Sequence, residues 1–455
     1  MIGWRGTEVS LYTRFAAGLV FPLQERIKGH DSVAVRERLE RSQWRTRAEI
    51  EAEQIERLRA FLIDIGRHVP YWQRVFAERG FDPARVGALA DLRALPPMGK
   101  AEIRAHTAEM LARDHGPVSR YNTGGSSGEP LVFFIGKARK SHDVAAKWRA
   151  TRWWGVDIGD PEAVVWGSPI EHSTQDWVRQ WRDSLLRSQL LPAFEMSPAK
   201  LDAFIAAMQR QRPAMLFGYP SALAHIARHA QQRGVALDSL GVRVAFVTSE
   251  VLYDDQRKAI EQAFSCPVAN GYGGRDAGFL AHQCPAGQMH LSAEDIVVEL
   301  LDREGRPVPA GEAGEVVVTH LATRDFPFVR YRTGDVAVFE ARPCSCGRGL
   351  PALREIQGRS TDFVVAADGT VMHGLALIYV LRDIEAVAGF KIVQESRLHT
   401  RVQVVPRAGW SSGMAQRVVE GLQRRLGACV QIDVEVVERI APEKSGKFRY
   451  VVSHA

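Results

Sequence analysis

Short apolar runs that alternate with helical segments are the feature that most constrains the fold of this chain. Three runs, at residues 163–167, 215–219 and 242–248, have the pattern of buried strands, and each ends at or near Gly, Ser or Thr. Segments 198–211 and 221–233, which lie between them, have helical periodicity. This alternation predicts layered α/β architecture with a largely parallel sheet.

Two other regions have different patterns. Short strand-like runs separated by Gly, Pro and Asp at residues 295–301, 314–321 and 335–339 predict a small β subdomain at about 290–357. After residue 362 the predicted elements are strands at 391–395, 401–406 and 430–437 and a helix at 413–426. We therefore predict an N-terminal domain at 1–361, helical over 1–95, and a small mobile α+β domain at 362–455, an acyl-CoA synthetase-like arrangement.

Charge and cysteine content exclude several classes of protein. The net charge of +6 is small for 455 residues and is scattered, so we expect no nucleic-acid partner. The five cysteines are too few and too unevenly spaced for a disulfide framework, which favours a cytoplasmic protein. No apolar run approaches the ~20 residues of a membrane span, and we interpret the short apolar stretch at 15–23 as a packing segment rather than a signal peptide.

The sequence YNTGGSSGEP at residues 121–130 is the most informative motif. Glycines let backbone N–H groups approach an anion, and hydroxyl groups add further donors, so the segment predicts a phosphate-binding loop. A flexible surface turn is the alternative that composition alone leaves open. Since Gly128 is followed by Glu129, the Gly-Lys-Ser/Thr of a P-loop is missing, which argues against a kinase or P-loop NTPase.

This loop resembles the phosphate-binding loop of the adenylate-forming superfamily, in particular its phenylacetate–CoA ligase-like and capsule-biosynthesis-associated branch. Departures from the usual family loop are Gly124 for Ser, Ser127 for Thr and Leu131 for Lys. The resemblance implies an α/β ligase that binds ATP and Mg²⁺. It assigns the phosphates to Thr123, Gly124, Gly125, Ser126, Ser127 and Gly128.

A second motif, NGYGGRDA at residues 270–277, resembles the family's Tyr-Gly-x-Thr/Ser-Glu segment. The resemblance implies that Tyr272, followed by Gly273, stacks on adenine and that Asp276 replaces the magnesium-binding glutamate. Arg275 stands where the family has Thr or Ser, and it could contact the α-phosphate or the substrate carboxylate. A glycine-rich turn with a surface Arg–Asp pair is the structural alternative.

Three further motifs follow in the family's order, at residues 331–335, 358–362 and 445–449. By resemblance, Asp335 accepts hydrogen bonds from the ribose hydroxyls and Arg359 faces the ribose and phosphates. Asp362 would be the hinge of the C-terminal domain, and Lys447 the catalytic lysine of adenylation, with Lys444 as a nearby competitor. Each motif is weak alone, because turns and basic tails have similar sequences, but the ordered set is specific.

Two short pairs of candidate metal ligands lie on either side of the strand-like runs at residues 295–339. Cys284 and His290 form the first pair, and Cys344 and Cys346 the second. Pairs of this kind build structural zinc sites, and the resembling branch often has this pattern. His282 is a rival ligand, and three buried thiols with a surface histidine are the alternative to a metal site.

The predicted function is ATP-dependent activation of a carboxylic acid to acyl-AMP, followed by transfer to coenzyme A. Trp166, His172 and Tyr219 follow predicted strand ends, where ligands bind in α/β sheets, so they are candidates for the acid pocket. An aryl acid is the family default. Transfer to an amine or a carrier-protein thiol, and a catalytically silent nucleotide-binding relative, stay open as alternatives, and an oligomer is possible.

Overall fold

The computed structural model describes most of the chain. The described residues are 10–122, 131–166, 182–193, 196, 198–302, 304–309, 311–359, 363–368, 371–373, 375–440 and 450–455. The chain divides into two compact units, a larger one that extends to Ile356 and a smaller one that consists mainly of Gln357–Ala455.

Helices dominate the first hundred residues of the larger unit. They are α1 (Leu11–Phe15), a π-helical segment (Ala16–Val20), α2 (Phe21–Ile27), α3 (Ser32–Ser42), α4 (Arg47–His68), α5 (Pro70–Arg79) and α6 (Lys100–Ala105). Helix α4 begins at a capping box, in which the Thr46 side chain and Glu49 bond to each other's backbone N–H groups. Leu58, Leu62 and Ile65 form its buried face, as the helical spacing predicts.

The rest of the larger unit alternates strands and helices. Its elements are β1 (Ser119–Asn122), β2 (Val132–Ile135), α7 (Lys137–Arg152), β3 (Glu162–Trp166), β4 (Ser188–Pro192), α8 (Pro198–Gln211), β5 (Met215–Gly218), α9 (Pro220–Gln232), β6 (Val244–Thr248), α10 (Asp254–Phe264), β7 (Val268–Gly274), β8 (Gly278–Gln283), β9 (Met289–Leu291), β10 (Ile296–Leu301), β11 (Ala313–His320), β12 (Tyr331–Phe339) and β13 (Ala352–Arg359). Eleven of these strands form one sheet in the order β10-β11-β12-β13-β9-β8-β7-β6-β5-β3-β4.

The pairing of the strands changes from parallel to antiparallel along this sheet. Strands β4, β3, β5, β6 and β7 are parallel, and β7 then pairs with β8 in the antiparallel direction. The region predicted as a small β subdomain continues the same sheet through β8 and β9. The parallel strands are apolar because helices cover them, and every residue of β6 is buried.

The apolar stretch at 15–23 packs only in part as expected. Ala16 and Phe21 are buried, but Phe15, Leu19 and Leu23 are at least half exposed. Ala16 and Phe21 therefore pack as the interpretation predicts, with Phe21 against Trp148, whereas Phe15, Leu19 and Leu23 do not. No helix among the described residues has the length and apolarity of a bilayer span.

The smaller unit is an α+β fold. Its elements are β14 (Phe363–Val365), β15 (Val371–His373), α11 (Leu375–Arg382), β16 (Val387–Ser396), β17 (His399–Pro406), α12 (Ser412–Leu426), β18 (Gln431–Val436) and β19 (Val451–Ser453). Four strands form a sheet in the order β18-β17-β16-β19. The buried Gln394 side chain bonds to both the N–H (3.0 Å) and the C=O (2.8 Å) of Val365, which ties the β14–β15 hairpin to this sheet.

A buried ion pair joins α7 to the loop before β10. The Arg149 guanidinium donates to the Glu294 carboxylate at 2.6 Å, and both side chains are almost completely shielded from solvent. The Ser42 hydroxyl of α3 donates to the same carboxylate oxygen at 2.8 Å. This cluster therefore ties the N-terminal helices to the sheet through charged groups that have no access to water.

We predict that Arg149→Ala lowers the free energy of unfolding by about 3–5 kcal/mol, since it leaves the Glu294 carboxylate buried without its cation. Urea denaturation checks this value. Arg306→Ala is the matched control, because Arg306 pairs with Asp302 on the surface with 71% of its side chain exposed, and its loss should change the stability little. Equal losses in the two variants would contradict the role given to burial.

Candidate active site and metal centre

The turn between β7 and β8 carries the predicted adenine- and magnesium-binding residues. Tyr272 lies near the end of β7 and is almost buried. Gly273 faces the next strand so closely that a Cβ atom would lie 2.1 Å from the Gly278 carbonyl oxygen. Glycine is therefore required in this motif, because the two backbones approach closely where the chain turns from β7 into β8.

Two hydrogen bonds join this turn to the other predicted motifs. The Tyr331 hydroxyl donates to Asp276 Oδ2 at 2.6 Å, so the motif at 270–277 contacts the motif at 331–335. The guanidinium of Arg275 donates to the Asn122 carbonyl oxygen at 3.4 Å. Since Asn122 ends β1, immediately before the predicted phosphate loop, three motifs that are far apart in sequence meet at one place.

Arg139, near the start of helix α7, bonds to the backbone of the turn between β7 and β8. Its Nη1 and Nη2 atoms donate to the carbonyl oxygens of Asp276 (3.1 Å) and Arg275 (3.3 Å), while Nε donates to both carboxylate oxygens of Asp143. The arginine side chain is buried. It therefore fixes the backbone of the two residues assigned to metal and phosphate.

The surroundings of Arg139 are tightly packed and polar. Gly278 has φ +87°, and a Cβ atom there would lie 2.8 Å from Arg139 Nη2 and 2.9 Å from His320 Nε2. Burial raises the pKa of Asp143, but the Arg139 guanidinium and His142 outweigh it and hold that pKa below its ordinary value. Burial, together with Arg139, lowers the pKa of His320, which is therefore neutral.

Sequence reasoning did not find Arg139. Its neighbours in sequence, Ala138 and Lys140, form no motif, and helix α7 has basic residues along its whole length. A buried arginine becomes recognisable only when the partners of its guanidinium are known, because burial without a partner would be unfavourable.

Several predicted residues lie outside the described part of the chain. These are Thr123, Gly124, Gly125, Ser126, Ser127, Gly128, His172, Asp362 and Lys447. Strands β1 and β2, which precede and follow the predicted phosphate loop in sequence, are paired, with Asn122 opposite Val132. Asp335 lies in β12, and Arg359 is the last residue of β13.

Aromatic rings stack at the carboxyl ends of two neighbouring parallel strands. The Trp166 ring, at the end of β3, lies 4.3 Å from the Tyr219 ring, with 23° between their planes. Gly218 allows this approach, since a Cβ atom there would lie 2.2 Å from the Val165 carbonyl oxygen. The structure thus brings together the two described candidates for the acid pocket, at the edge of the sheet where ligands bind in α/β folds.

Four side chains from two loops converge in a separate cluster. The ligand atoms of Cys284, His290, Cys344 and Cys346 all lie within 4.8 Å of one another. Cys284 Sγ is 3.6 Å from Cys344 Sγ, and Cys346 Sγ is 3.2 Å from His290 Nε2. Two thiolates bound to one tetrahedral zinc ion lie about 3.8 Å apart, whereas a disulfide bond is only about 2 Å long, so the spacing fits a shared metal.

The protonation of the cluster also suits a metal. The hydrogen bond from Cys284 outweighs burial and lowers the pKa of Cys346, which favours the thiolate form that binds a metal. The Nδ1 atom of His290 lies 3.1 Å from the Leu350 carbonyl oxygen, and donation there leaves Nε2 free to bind an ion. Four protein ligands leave no open coordination position, so such a metal would be structural.

His282, the rival ligand, pairs with His290 between β8 and β9 but is not one of the four side chains whose ligand atoms converge. Its ring stacks on Phe279 with 5.5 Å between centroids and 20° between planes. Neither ring nitrogen has a hydrogen-bond partner among the described residues, and burial lowers the pKa of His282 to about 3. The side chain is therefore a neutral, buried ring that packs as an aromatic residue.

The sequence matches the AMP-binding enzyme family over residues 138–322 and the CapK C-terminal domain over residues 364–454. The chain belongs to the adenylate-forming superfamily, in the branch that contains CapK and the phenylacetate–CoA ligases. The described fold, a large α/β unit and a small α+β unit, agrees with the fold that the resemblance implies.

Individual relatives are distant but span most of the chain. Protein CapK of Staphylococcus aureus is 22% identical over 405 residues, which cover 88% of both sequences. A phenylacetate-coenzyme A ligase of Thermus thermophilus is 24% identical over 76% of this chain and 78% of its own length. A solved 2-hydroxyisobutyryl-CoA ligase in complex with R3-HIB-AMP superposes with a TM-score of 0.72 at 21% identity, covering 91% of each chain, and this likeness shows the fold.

We expect the protein purified with zinc present to contain about one zinc ion per chain, held by the cysteine–histidine cluster. Cys346→Ser should lose the metal and unfold at a lower temperature, because metal binding stabilises the folded state. Elemental analysis and thermal unfolding measure both effects. Cys429→Ser is the control, since Cys429 is exposed and lies outside the cluster, and should keep the metal. Retention of zinc by the Cys346 variant would contradict the assignment.

Proposed function

We propose that this protein uses ATP to convert a carboxylic acid to acyl-AMP and pyrophosphate, and then transfers the acyl group to coenzyme A. The observation that carries the proposal is the meeting of three motifs at the β7–β8 turn, where Asp276 accepts from Tyr331 and Arg275 reaches Asn122. Adenylation needs a base-binding surface, a metal-binding carboxylate and a phosphate loop at one nucleotide, and these contacts support the proposal because they join the β7–β8 turn to Tyr331 and Asn122.

The turn supplies groups suited to a nucleotide with Mg²⁺. Asp276 Oδ2 accepts from Tyr331 and Oδ1 from the Ala277 N–H, and each carboxylate oxygen has a further lone pair for Mg²⁺. Tyr272 offers a ring for adenine, and the exposed guanidinium of Arg275 a positive charge for the α-phosphate or the substrate carboxylate. Asp335 and Arg359 are assigned to the ribose and phosphates by their place in the family's motif order.

In the proposed reaction, a carboxylate oxygen of the acid attacks the α-phosphorus of ATP. The bond from that phosphorus to the β-phosphate oxygen breaks, and pyrophosphate leaves with the electron pair. Lys447 places positive charge between the attacking carboxylate and the α-phosphate, which stabilises the charge that develops there. In the second step a thiolate attacks the acyl carbon and AMP leaves.

The acid and the acceptor are the finer parts of the proposal. The stacked Trp166 and Tyr219 rings favour an aryl acid, since flat aromatic walls bind planar rings. Coenzyme A is favoured as acceptor because several relatives carry it in their names. Pyrophosphate release that coenzyme A does not stimulate would indicate that the acceptor is an amine or a carrier-protein thiol. No pyrophosphate release with any acid would indicate a catalytically silent relative that binds nucleotide.

We predict that Lys447→Ala abolishes acid-dependent exchange between ATP and labelled pyrophosphate but leaves thioester formation from supplied acyl-AMP largely intact. The reason is that the lysine stabilises only the charge of the first half-reaction. A panel of phenylacetate, benzoate and short 2-hydroxy acids provides the substrates, and mass spectrometry detects the adenylate.

Lys444→Ala is the matched control for this variant, because it removes the same charge three residues away. The control should retain exchange. Loss of both half-reactions in the Lys447 variant, or equal losses in the two variants, would contradict the role assigned to Lys447.

We predict that Gly278→Ala lowers kcat/KM for ATP about 10- to 100-fold, because its methyl group displaces Arg139 and thereby shifts the backbone of Arg275 and Asp276. The loss of kcat/KM for ATP should be larger than a loss of folded protein alone would cause. Steady-state kinetics and thermal unfolding measure the two effects separately.

Gly305→Ala controls for backbone strain in this comparison. Gly305 has φ +80°, close to that of Gly278, but a Cβ atom there meets nothing within 4 Å. Gly305→Ala should lose stability through backbone strain alone and keep its activity with ATP, whereas Gly278→Ala should lose that activity. Equal activity in both would show that Arg139 does not position the turn.

A further inference from the structure

The N-terminal helix of the described chain is continuous from Leu11 to Ile27. Helix α1, the π-helical segment and α2 follow one another without a break, and the residues at the junctions, Phe15 and Phe21, have helical torsion angles. The helix therefore behaves as one rod of about 17 residues × 1.5 Å, or roughly 25 Å.

One face of this rod is fixed to the larger unit. The Thr13 hydroxyl donates to Asp160 Oδ1 at 2.8 Å, and the Tyr12 hydroxyl to the Leu185 carbonyl oxygen at 2.7 Å. Ala16 packs so closely on Gly159 that a Cβ atom on the glycine would lie 2.4 Å from its methyl group. Phe21 is also buried on this face, where its ring packs against Trp148, and five other large apolar residues of the helix are exposed.

The outward face is a ridge of large apolar side chains. They are Leu11 (83% exposed), Phe15 (50%), Leu19 (58%), Leu23 (55%) and Ile27 (79%), which we call the N-terminal ridge. Five of the nine large hydrophobic residues that are exposed in the described chain belong to this one helix. Exposed apolar residues are normally scattered, and a contiguous row of them marks an interaction surface.

The π-helical segment keeps the ridge on one side. Residues four apart in an α-helix drift by about 40° per step, so five such residues would wind part of the way around the rod. The wider turn at Ala16–Val20 takes up part of this drift. As a result, all five side chains stay on the exposed side of the helix. Helices that contain a π-helical turn of this kind are often functional.

The charged side chains of this helix that are exposed to solvent are all positive. Arg14 and Arg26 are exposed beside the ridge. Glu25 is the only acidic residue between Ser10 and Lys28, and it is buried against Ser32 and His30 while also pairing with Lys28. The exposed Arg187 adds a further cation, since its guanidinium lies 4.1 Å from the centroid of the Tyr12 ring.

We propose that the N-terminal ridge binds the surface of a membrane rich in anionic lipids. An apolar face flanked by arginines is the arrangement that places a helix in the plane of the headgroups, with its side chains among the acyl chains and its cations beside the phosphates. A second copy of the chain suits the charges less well, because a two-fold pair of these helices would bring arginines together without an exposed acid between them.

The test uses the full-length protein and sedimentation with vesicles of phosphatidylcholine, alone or with one third phosphatidylglycerol. Binding is expected to the mixed vesicles and to weaken as salt is raised. Leu19→Glu combined with Leu23→Glu should reduce binding at least about tenfold, since it removes two apolar groups from the ridge and adds two like charges.

Leu398→Glu is the matched control, because Leu398 is 55% exposed, as Leu23 is, but lies in the smaller unit. It should bind vesicles as the unchanged protein does. The ridge residues are exposed, so thermal unfolding should be the same in all variants. A second variant, Arg14→Gln with Arg26→Gln, should weaken binding to the anionic vesicles while keeping the apolar ridge.

Three outcomes would overturn the proposal. These are no sedimentation of the unchanged protein with anionic vesicles, equal binding by the ridge variant and its control, and a dimer in analytical ultracentrifugation that the ridge variant dissociates while vesicle binding is absent. The last would assign the ridge to a second copy of the chain.

Discussion

The reversal of strand direction between β7 and β8 is the constraint on which the rest of the larger unit depends. Parallel strands need long crossover connections, whereas Gly274 and Gly278 turn the chain within a few residues. The two backbones approach so closely that side chains are excluded on the inside of the turn. The Arg139 guanidinium fills the space beneath, and bonds to carbonyl groups of the turn while its own charge is balanced by Asp143.

This turn also explains why the antiparallel strands belong to the same layer as the parallel ones. Strand β8 continues to pair with β9, and β9 pairs with β13, so the sheet extends without a gap into the region that supplies Tyr331. A change of direction inside one sheet places the end of a parallel strand beside residues from a much later part of the chain. The proposed site therefore lies where the parallel and antiparallel parts of the sheet meet.

Much of the fold follows from patterns that are visible in the sequence. Helix α8 has the bounds Pro198–Gln211 that the periodicity predicts, and the apolar strands β5 and β6 lie within the predicted runs. The four proposed zinc ligands were likewise recognisable, because their residue types and paired spacing reflect coordination chemistry. Strong periodicity and strong chemistry are both local properties, and local properties can be found in a single sequence.

The role of Arg139 and the outward face of the first helix could not be predicted in this way. The sequence shows that Arg139 is charged, but two of its four acceptors are carbonyl oxygens of Arg275 and Asp276, more than 130 residues away. Similarly, the apolar stretch at 15–23 indicates a helix, but the face that docks was decided by Gly159, whose lack of a side chain admits Ala16. Such facts depend on distances between remote segments.

The loop after the second cysteine pair shows how far such a link extends. The Gln43 side chain of the N-terminal layer accepts from Trp153 (2.8 Å) and from Arg348 (3.0 Å), two residues beyond Cys346. The Gly349 N–H also donates to the Gln43 carbonyl oxygen at 3.0 Å. Oxidation of the thiols would therefore act on more than their own loop, because it would loosen a joint through which the first helical layer is attached to the sheet.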